Sequence, residues 1–145
     1  MRTIKFRGKR LYDGEWVYGC PLVVDADKRK VAMIVTLHEA YPDTLAKVTT
    51  SVDFNSLGQF TGLKDRHDKE IYEGDIILST RNGFGGVVKW HKRGYFYICE
   101  DIFEDDPGYN GDYAKLGSML ENHPCFEVVG NISDNTPERL KGGEQ

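Results

Sequence analysis

The chain has 145 residues, 39% hydrophobic and 29% charged, and no apolar run approaches the roughly 20 residues of a membrane helix, which excludes intrinsic disorder and a helical span. Residues 1–93 hold 16 Lys and Arg against 12 Asp and Glu, and residues 94–145 hold 3 against 11, so the halves carry formal charges of +4 and −8. The net −4 argues against general affinity for DNA phosphates, which rests on Lys and Arg releasing counterions.

Ile4-Lys5-Phe6-Arg7 alternates apolar with charged residues, the period of a half-buried strand, and no apolar stretch of a secretory signal is expected at this end. Asp13-Gly14 is a turn dipeptide, and Glu15-Trp16-Val17-Tyr18-Gly19-Cys20 follows as the partner strand of a first hairpin. Leu22-Val23-Val24 and Val31-Ala32-Met33-Ile34-Val35-Thr36 flank a polar turn at residues 25–30, which predicts a second hairpin of two buried strands. Residues 37–50 lose the period and contain Pro42, so a loop or short helical turn is expected.

Ser56-Leu57-Gly58-Gln59-Phe60-Thr61 alternates again, and residues 62–70 are polar enough for a surface turn before Ile71-Tyr72. Glu73-Gly74-Asp75 leads into Ile76-Ile77-Leu78-Ser79-Thr80, then Val87-Val88-Lys89-Trp90 returns and Tyr95-Phe96-Tyr97-Ile98-Cys99 follows: a three-stranded meander of the kind that closes into a small SH3-like barrel. Residues 101–110 read as an exposed acidic insertion. Asp112 can cap a short helix over residues 112–121, with Tyr113, Leu116 and Met119 or Leu120 as its apolar stripe and Gly117 weakening it. Phe126-Glu127-Val128-Val129-Gly130-Asn131-Ile132 is the last strand before a polar tail. The expected fold is therefore mainly β: an N-terminal pair of hairpins, a small twisted barrel and one helix. The chain reads as a single domain, 1–145, that divides into lobes at 1–55 and 56–135 with a tail at 136–145.

The runs Gly58-Gln59-Phe60-Thr61-Gly62-Leu63-Lys64-Asp65, Glu70-Ile71-Tyr72-Glu73-Gly74-Asp75-Ile76-Ile77 and Phe126-Glu127-Val128-Val129-Gly130-Asn131-Ile132 resemble the YopX family of bacteriophage and prophage proteins. Ile4-Lys5-Phe6-Arg7 and Gly14-x-Trp16-Val17-Tyr18-Gly19 resemble its N-terminal signature. The family's central turn carries Asn-Gly where this chain has His67-Asp68, and residues 101–125 match no part of the pattern. The resemblance implies a mostly β, phage-encoded, self-associating protein, and it supplies no catalytic residue to carry over.

Glu73 and Asp75, with Glu70 nearby, form the densest carboxylate cluster, and a divalent cation bridging them would make a small metal-dependent hydrolase. A structural turn, with Gly74 free in φ and Asp75 accepting backbone N–H groups, explains the same residues better. His38, His67, His91 and His123 are scattered, without metal-ligand spacing. The three cysteines lack any C-x-x-C pairing, and Cys20 and Cys99 are expected to be buried as small apolar residues. Asn82-Gly83-Phe84-Gly85-Gly86 precedes a strand, which favours a hairpin turn with Phe84 at its tip over a phosphate loop.

One set combines aromatics with basic residues: Trp90, Lys92, Arg93 and Tyr95 around a tight turn, a candidate binding surface for nucleic acid. Against this, Trp90 and Tyr95 would serve equally as core residues beside a solvated turn. The reading is a non-enzymatic module without cofactor or metal. It is expected to bind itself or a host or phage protein, less readily nucleic acid and no membrane, in the cytoplasm of a bacterial host.

Overall fold

The computed structural model describes residues 3–41, 44–99 and 115–134. The chain divides into two compact units, Met1–Phe60 and Thr61–Gln145. It is mainly β, with two antiparallel sheets and one described α-helix.

In the first unit, β1 (Phe6–Lys9), β2 (Trp16–Ala26), β3 (Arg29–Tyr41), β4 (Thr44–Val52) and the beginning of β5 (Gly58–Lys64) lie in the order β4-β3-β2-β1-β5. The turn before β2 is built as its sequence suggests: Gly14 takes φ 72°, and the Asp13 carboxylate accepts the Glu15 N–H at 3.0 Å while gripping Arg10. Asp27 and Lys28 join β2 to β3 with φ of 43° and 71°, the two positive values of a type I′ hairpin turn, here without glycine. The expected pair of hairpins shares one long strand, because β2 changes partner midway. Trp16–Gly19 pairs with β1, and Cys20–Ala26 pairs with β3. Pro21 thus sits where the strand has a neighbour on one side only, a position that tolerates a missing N–H.

The loop expected over residues 37–50 is instead strand on both sides. β3 runs to Tyr41, β4 begins at Thr44, and the two are in register from Ala32↔Val52 outward. Cross-strand hydrogen bonding holds these backbones without requiring an apolar alternation, and the β-branched Val48, Thr49, Thr50 and Val52 were the strand signal. Pro42 lies outside the described residues. Ala32, Ile34 and Val52 are buried on one face of the sheet, with Phe6, Val17 and Leu57 packed against them.

In the second unit, the end of β5 lies beside β6 (Glu70–Tyr72), and β7 (Asp75–Ser79), β8 (Gly85–His91), β9 (Tyr95–Cys99) and β10 (Phe126–Asn131) form a sheet ordered β10-β7-β8-β9. The expected meander is therefore present, with the last strand returning beside its first. Gly85 is required here, since a side chain would drive into the Ile77 carbonyl across the ladder. Ile71, Ile77, Val88, Ile98, Leu116 and Phe126 make the buried core.

Closure into an SH3-like barrel is not found among the described residues. β9 meets Lys115 through a bridge at Tyr97 instead of meeting β10. The free side of β10 is taken by the 65–69 turn, as Arg66 N–H donates to Phe126 O at 3.1 Å and Val128 N–H to Asp65 Oδ2 at 2.9 Å. Each edge is thus met by a turn or a single bridge instead of by the other.

The helix α1 spans Leu116–Asn122 and begins after Lys115, with no side-chain cap. Leu116 is fully buried and Met119 and Leu120 pack on the core, which is the expected stripe. Asp112, Tyr113, the acidic insertion at 101–110 and the tail at 136–145 lie outside the described residues. Among the described residues no helix is long and apolar enough to cross a membrane.

Candidate functional site

Of the basic and aromatic set, Lys92 and Arg93 stand exposed on the turn between β8 and β9. Gly94 takes φ 91°, its N–H donates to His91 O at 2.8 Å, and Arg93 N–H donates to the buried His91 Nδ1 at 3.1 Å, so the turn is fixed by its own side chain. The two aromatics, however, are separated. Residues opposite in register share a face, and the pairs are Trp90↔Phe96 and His91↔Tyr95. Trp90 meets Phe96 edge to face at 4.8 Å on one side of the sheet, whereas Tyr95 stacks on His91 at 4.7 Å on the other, with Lys115 Nζ 4.9 Å from its ring. Trp90 is 48% exposed, so it does not fill a core, yet it and Tyr95 cannot stack on one flat ligand face.

The carboxylate cluster is built as a turn. Asp75 is 1% exposed and accepts the Tyr72 N–H at 2.7 Å, Gly74 takes φ 91° and donates to Val88 O, and Glu70 accepts from the Tyr72 hydroxyl at 3.4 Å. Among the described residues no three His, Cys, Asp or Glu side chains are grouped to hold a metal ion. His67 Nε2 lies 3.0 Å from Glu127, and the side chain of His38 is outside the described residues.

The Asp65 turn is tighter than its sequence signal. Its carboxylate accepts the backbone N–H groups of His67, Lys69 and Val128 at 2.8 to 3.0 Å, and Asp68 adopts φ 64° at the position where the resembled pattern has glycine. Burial pushes the Asp65 carboxyl pKa up, but the hydrogen bonds from Val128, Lys69 and His67, with the nearby imidazole, outweigh it and hold the group below the ordinary carboxylate value.

Sequence reasoning missed the most distinctive surface. On the face of β2 and β3 opposite the Ala32 and Ile34 core, Cys20, Leu22 and Val24 stand across from Val35, Met33 and Val31, an apolar patch exposed along β2 and half-buried along β3. Leu22 and Val24 are 46% and 45% exposed, and Tyr18 continues the row at 47%. Val23, on the core face near the hairpin tip, is also exposed. The expectation that these strands, and Cys20 with them, are buried is therefore corrected, while Cys99 is buried as expected. A continuous Leu-Val-Val run reads as a strand covered on both sides; here only one face of the hairpin arm has a core against it. Toward β1 the same face carries Arg7 and Lys9, whose cations lie 4.2 and 5.1 Å from the Trp16 ring.

A concavity lies in the Thr61–Gln145 unit, where the β7–β8 turn faces the segment joining α1 to β10. There Cys125 Sγ and Ser79 Oγ are 3.1 Å apart, Asn82 Oδ1 accepts the Phe84 N–H at 3.0 Å, and the partly exposed Phe84 stands edge-on to Phe126. Phe84 is exposed as its sequence predicts, but it stands at the foot of the turn instead of its tip, its carbonyl accepting the Ser79 N–H.

The profile of the family described as YopX protein matches residues 5–141. Among solved structures, protein EF1440 from Enterococcus faecalis is similar with a TM-score of 0.54 and 22% identity, over 97% of this chain and 99% of that one, a likeness of fold alone. Nothing among curated proteins matches the chain.

Proposed function

Given that the chain belongs to the YopX family, over nearly its whole length, we propose that it acts as a non-enzymatic, phage-encoded binding module whose partner is a protein, a further copy of itself included. One observation carries this reading: the apolar face of Cys20, Leu22, Val24, Val31, Met33 and Val35 on a hairpin arm, exposed along β2. Apolar surface of this kind costs hydration free energy of about 25 cal/mol for every Å² left in water, which association recovers. Rigid paired strands also lose little entropy when a partner settles on them. The bacterial cytoplasm is the compartment we propose for it.

The nucleic-acid reading draws on Lys92 and Arg93 alone, because Trp90 and Tyr95 face opposite ways. The hydrolase reading has less, since Asp75 is engaged by the Tyr72 backbone.

The test is a paired measurement on the native chain and on Leu22→Lys/Met33→Lys. Light scattering gives the mass, and affinity capture from lysogenic cells gives the retained proteins. The native chain is expected to exceed its monomer mass or retain a defined partner, and the variant to do neither while keeping its thermal midpoint. Equal behaviour of the two in both assays would sink the proposal.

A further inference from the structure

The cleft between the β7–β8 turn and the α1–β10 connection encloses about 470 Å³, within the roughly 300–1,000 Å³ of sites that hold small ligands. Its lining is of two kinds. The exposed Phe84 stands with its ring edge-on, at 77° and 6.4 Å between centroids, to the buried Phe126 behind it, with Met119 beside them. Arg81, Asn82 and His123 supply the polar groups, and among the described residues no carboxylate lines the space although the chain as a whole carries −4. Among the described residues the exposed Arg81 makes no ion pair.

The wall that bears Arg81 and Phe84 is held in place by its own hydrogen bonds. Ser79 N–H donates to Phe84 O at 2.7 Å, Gly83 N–H to Ser79 O at 2.9 Å and Arg81 N–H to Ser79 Oγ at 3.2 Å. Thr80 N–H donates to Cys125 O at 2.9 Å, which ties this wall to the opposite one. A ligand here therefore orders few groups on binding.

We propose that this cleft binds a small aromatic carboxylate. The ring lies against Phe84 and Met119, with the buried Phe126 behind them, where apolar and edge-to-face contacts favour a flat π-system. The carboxylate accepts from the Arg81 guanidinium, whose planar fork matches two oxygens, and from the Asn82 amide or His123 ring. A neutral ring forgoes the charge of Arg81, and a ringless anion leaves Phe84 in water, so the class is set by both halves together. Cys125, on the same lining, is shielded by the ligand and reports its position. This site owes nothing to the apolar hairpin face and stands or falls separately from it.

The probes are 4-nitrobenzoate and its neutral isostere 4-nitrobenzamide, measured by equilibrium dialysis against the intact chain. One nitrobenzoate per chain is expected at millimolar concentration, with nitrobenzamide bound about tenfold more weakly for want of the charge-assisted pair. Arg81→Gln, an exposed turn substitution, should weaken nitrobenzoate to the level of the amide, and Phe84→Ala should weaken both probes. In the Cys20→Ser chain, nitrobenzoate should slow iodoacetamide labelling of Cys125 several-fold, read by mass spectrometry. No saturable binding, equal binding of the two probes, or full binding by Arg81→Gln would each overturn the proposal.

Discussion

The carboxylate of Asp65 accepts the backbone N–H of Val128 at 2.9 Å across 63 positions of sequence, while also holding the N–H groups of His67 and Lys69. One buried side chain thereby shapes a turn and caps the open edge of β10. An edge strand with unsatisfied N–H groups is a template for unwanted pairing, and a carboxylate that consumes one of them removes that liability.

Asp65→Ala should lower the thermal midpoint by several degrees, because it strands three backbone donors at a loss of about 1–3 kcal/mol each if left dry, less where water enters. Calorimetry of the variant checks this; an unchanged midpoint would show that the turn holds without the carboxylate.

The same group sets an acid limb. Its folded pKa is depressed below the ordinary 3.8, so its contribution is fully present above that value and is lost as pH falls through the lower folded pKa. Native chain should thus lose stability faster than Asp65→Asn as pH drops from about 4 downward, the difference between the two curves shrinking in that window. Parallel curves from neutral to acid pH would contradict the sign.

Gly85→Ala should be strongly destabilising, since its methyl group meets the Ile77 carbonyl in the paired strand. The expected loss is at least the roughly 1–3 kcal/mol of core overpacking, because a backbone atom cannot swing aside. Urea denaturation gives the value, and a change below a few tenths would refute the contact.

Gly117→Ala should do the opposite. A Cβ there meets nothing within 4 Å and the residue is an exposed part of α1, so helix propensity alone acts, a gain of about 0.5–1 kcal/mol. Loss of stability would mean that this helix tolerates no side chain at that point.

Lys92→Glu/Arg93→Glu should move the thermal midpoint hardly at all, as exposed turn charges contribute within about ±0.5 kcal/mol. Titration with single-stranded DNA at low salt should show no tight binding by the native chain. Micromolar affinity that this double variant abolishes would restore the nucleic-acid reading.

Much was legible in the chain itself. The meander of β7, β8 and β9 carries uninterrupted β-branched and aromatic runs broken by Gly-rich and basic turns, local signals that need no distant partner. The apolar stripe of α1 and the turn built on Gly74 and Asp75 are local in the same sense. The YopX relationship was readable from contiguous motifs for that reason as well.

What the tertiary structure alone decided is which faces are covered. Period-2 alternation says that Leu22 and Val23 point opposite ways, but not which side of the arm has a core beneath it, and here Ala32 and Ile34 are buried on one face while Leu22 and Val24 stay in water on the other. The same holds for Trp90 and Tyr95, neighbours on one hairpin that a single register places on opposite sides of a sheet. Burial is a property of what lies across a strand, and that depends on pairings tens of residues away: Val52 against Ala32, Val128 against Asp65. Local chemistry names the elements, and only long-range contact determines which of their surfaces remain available to bind.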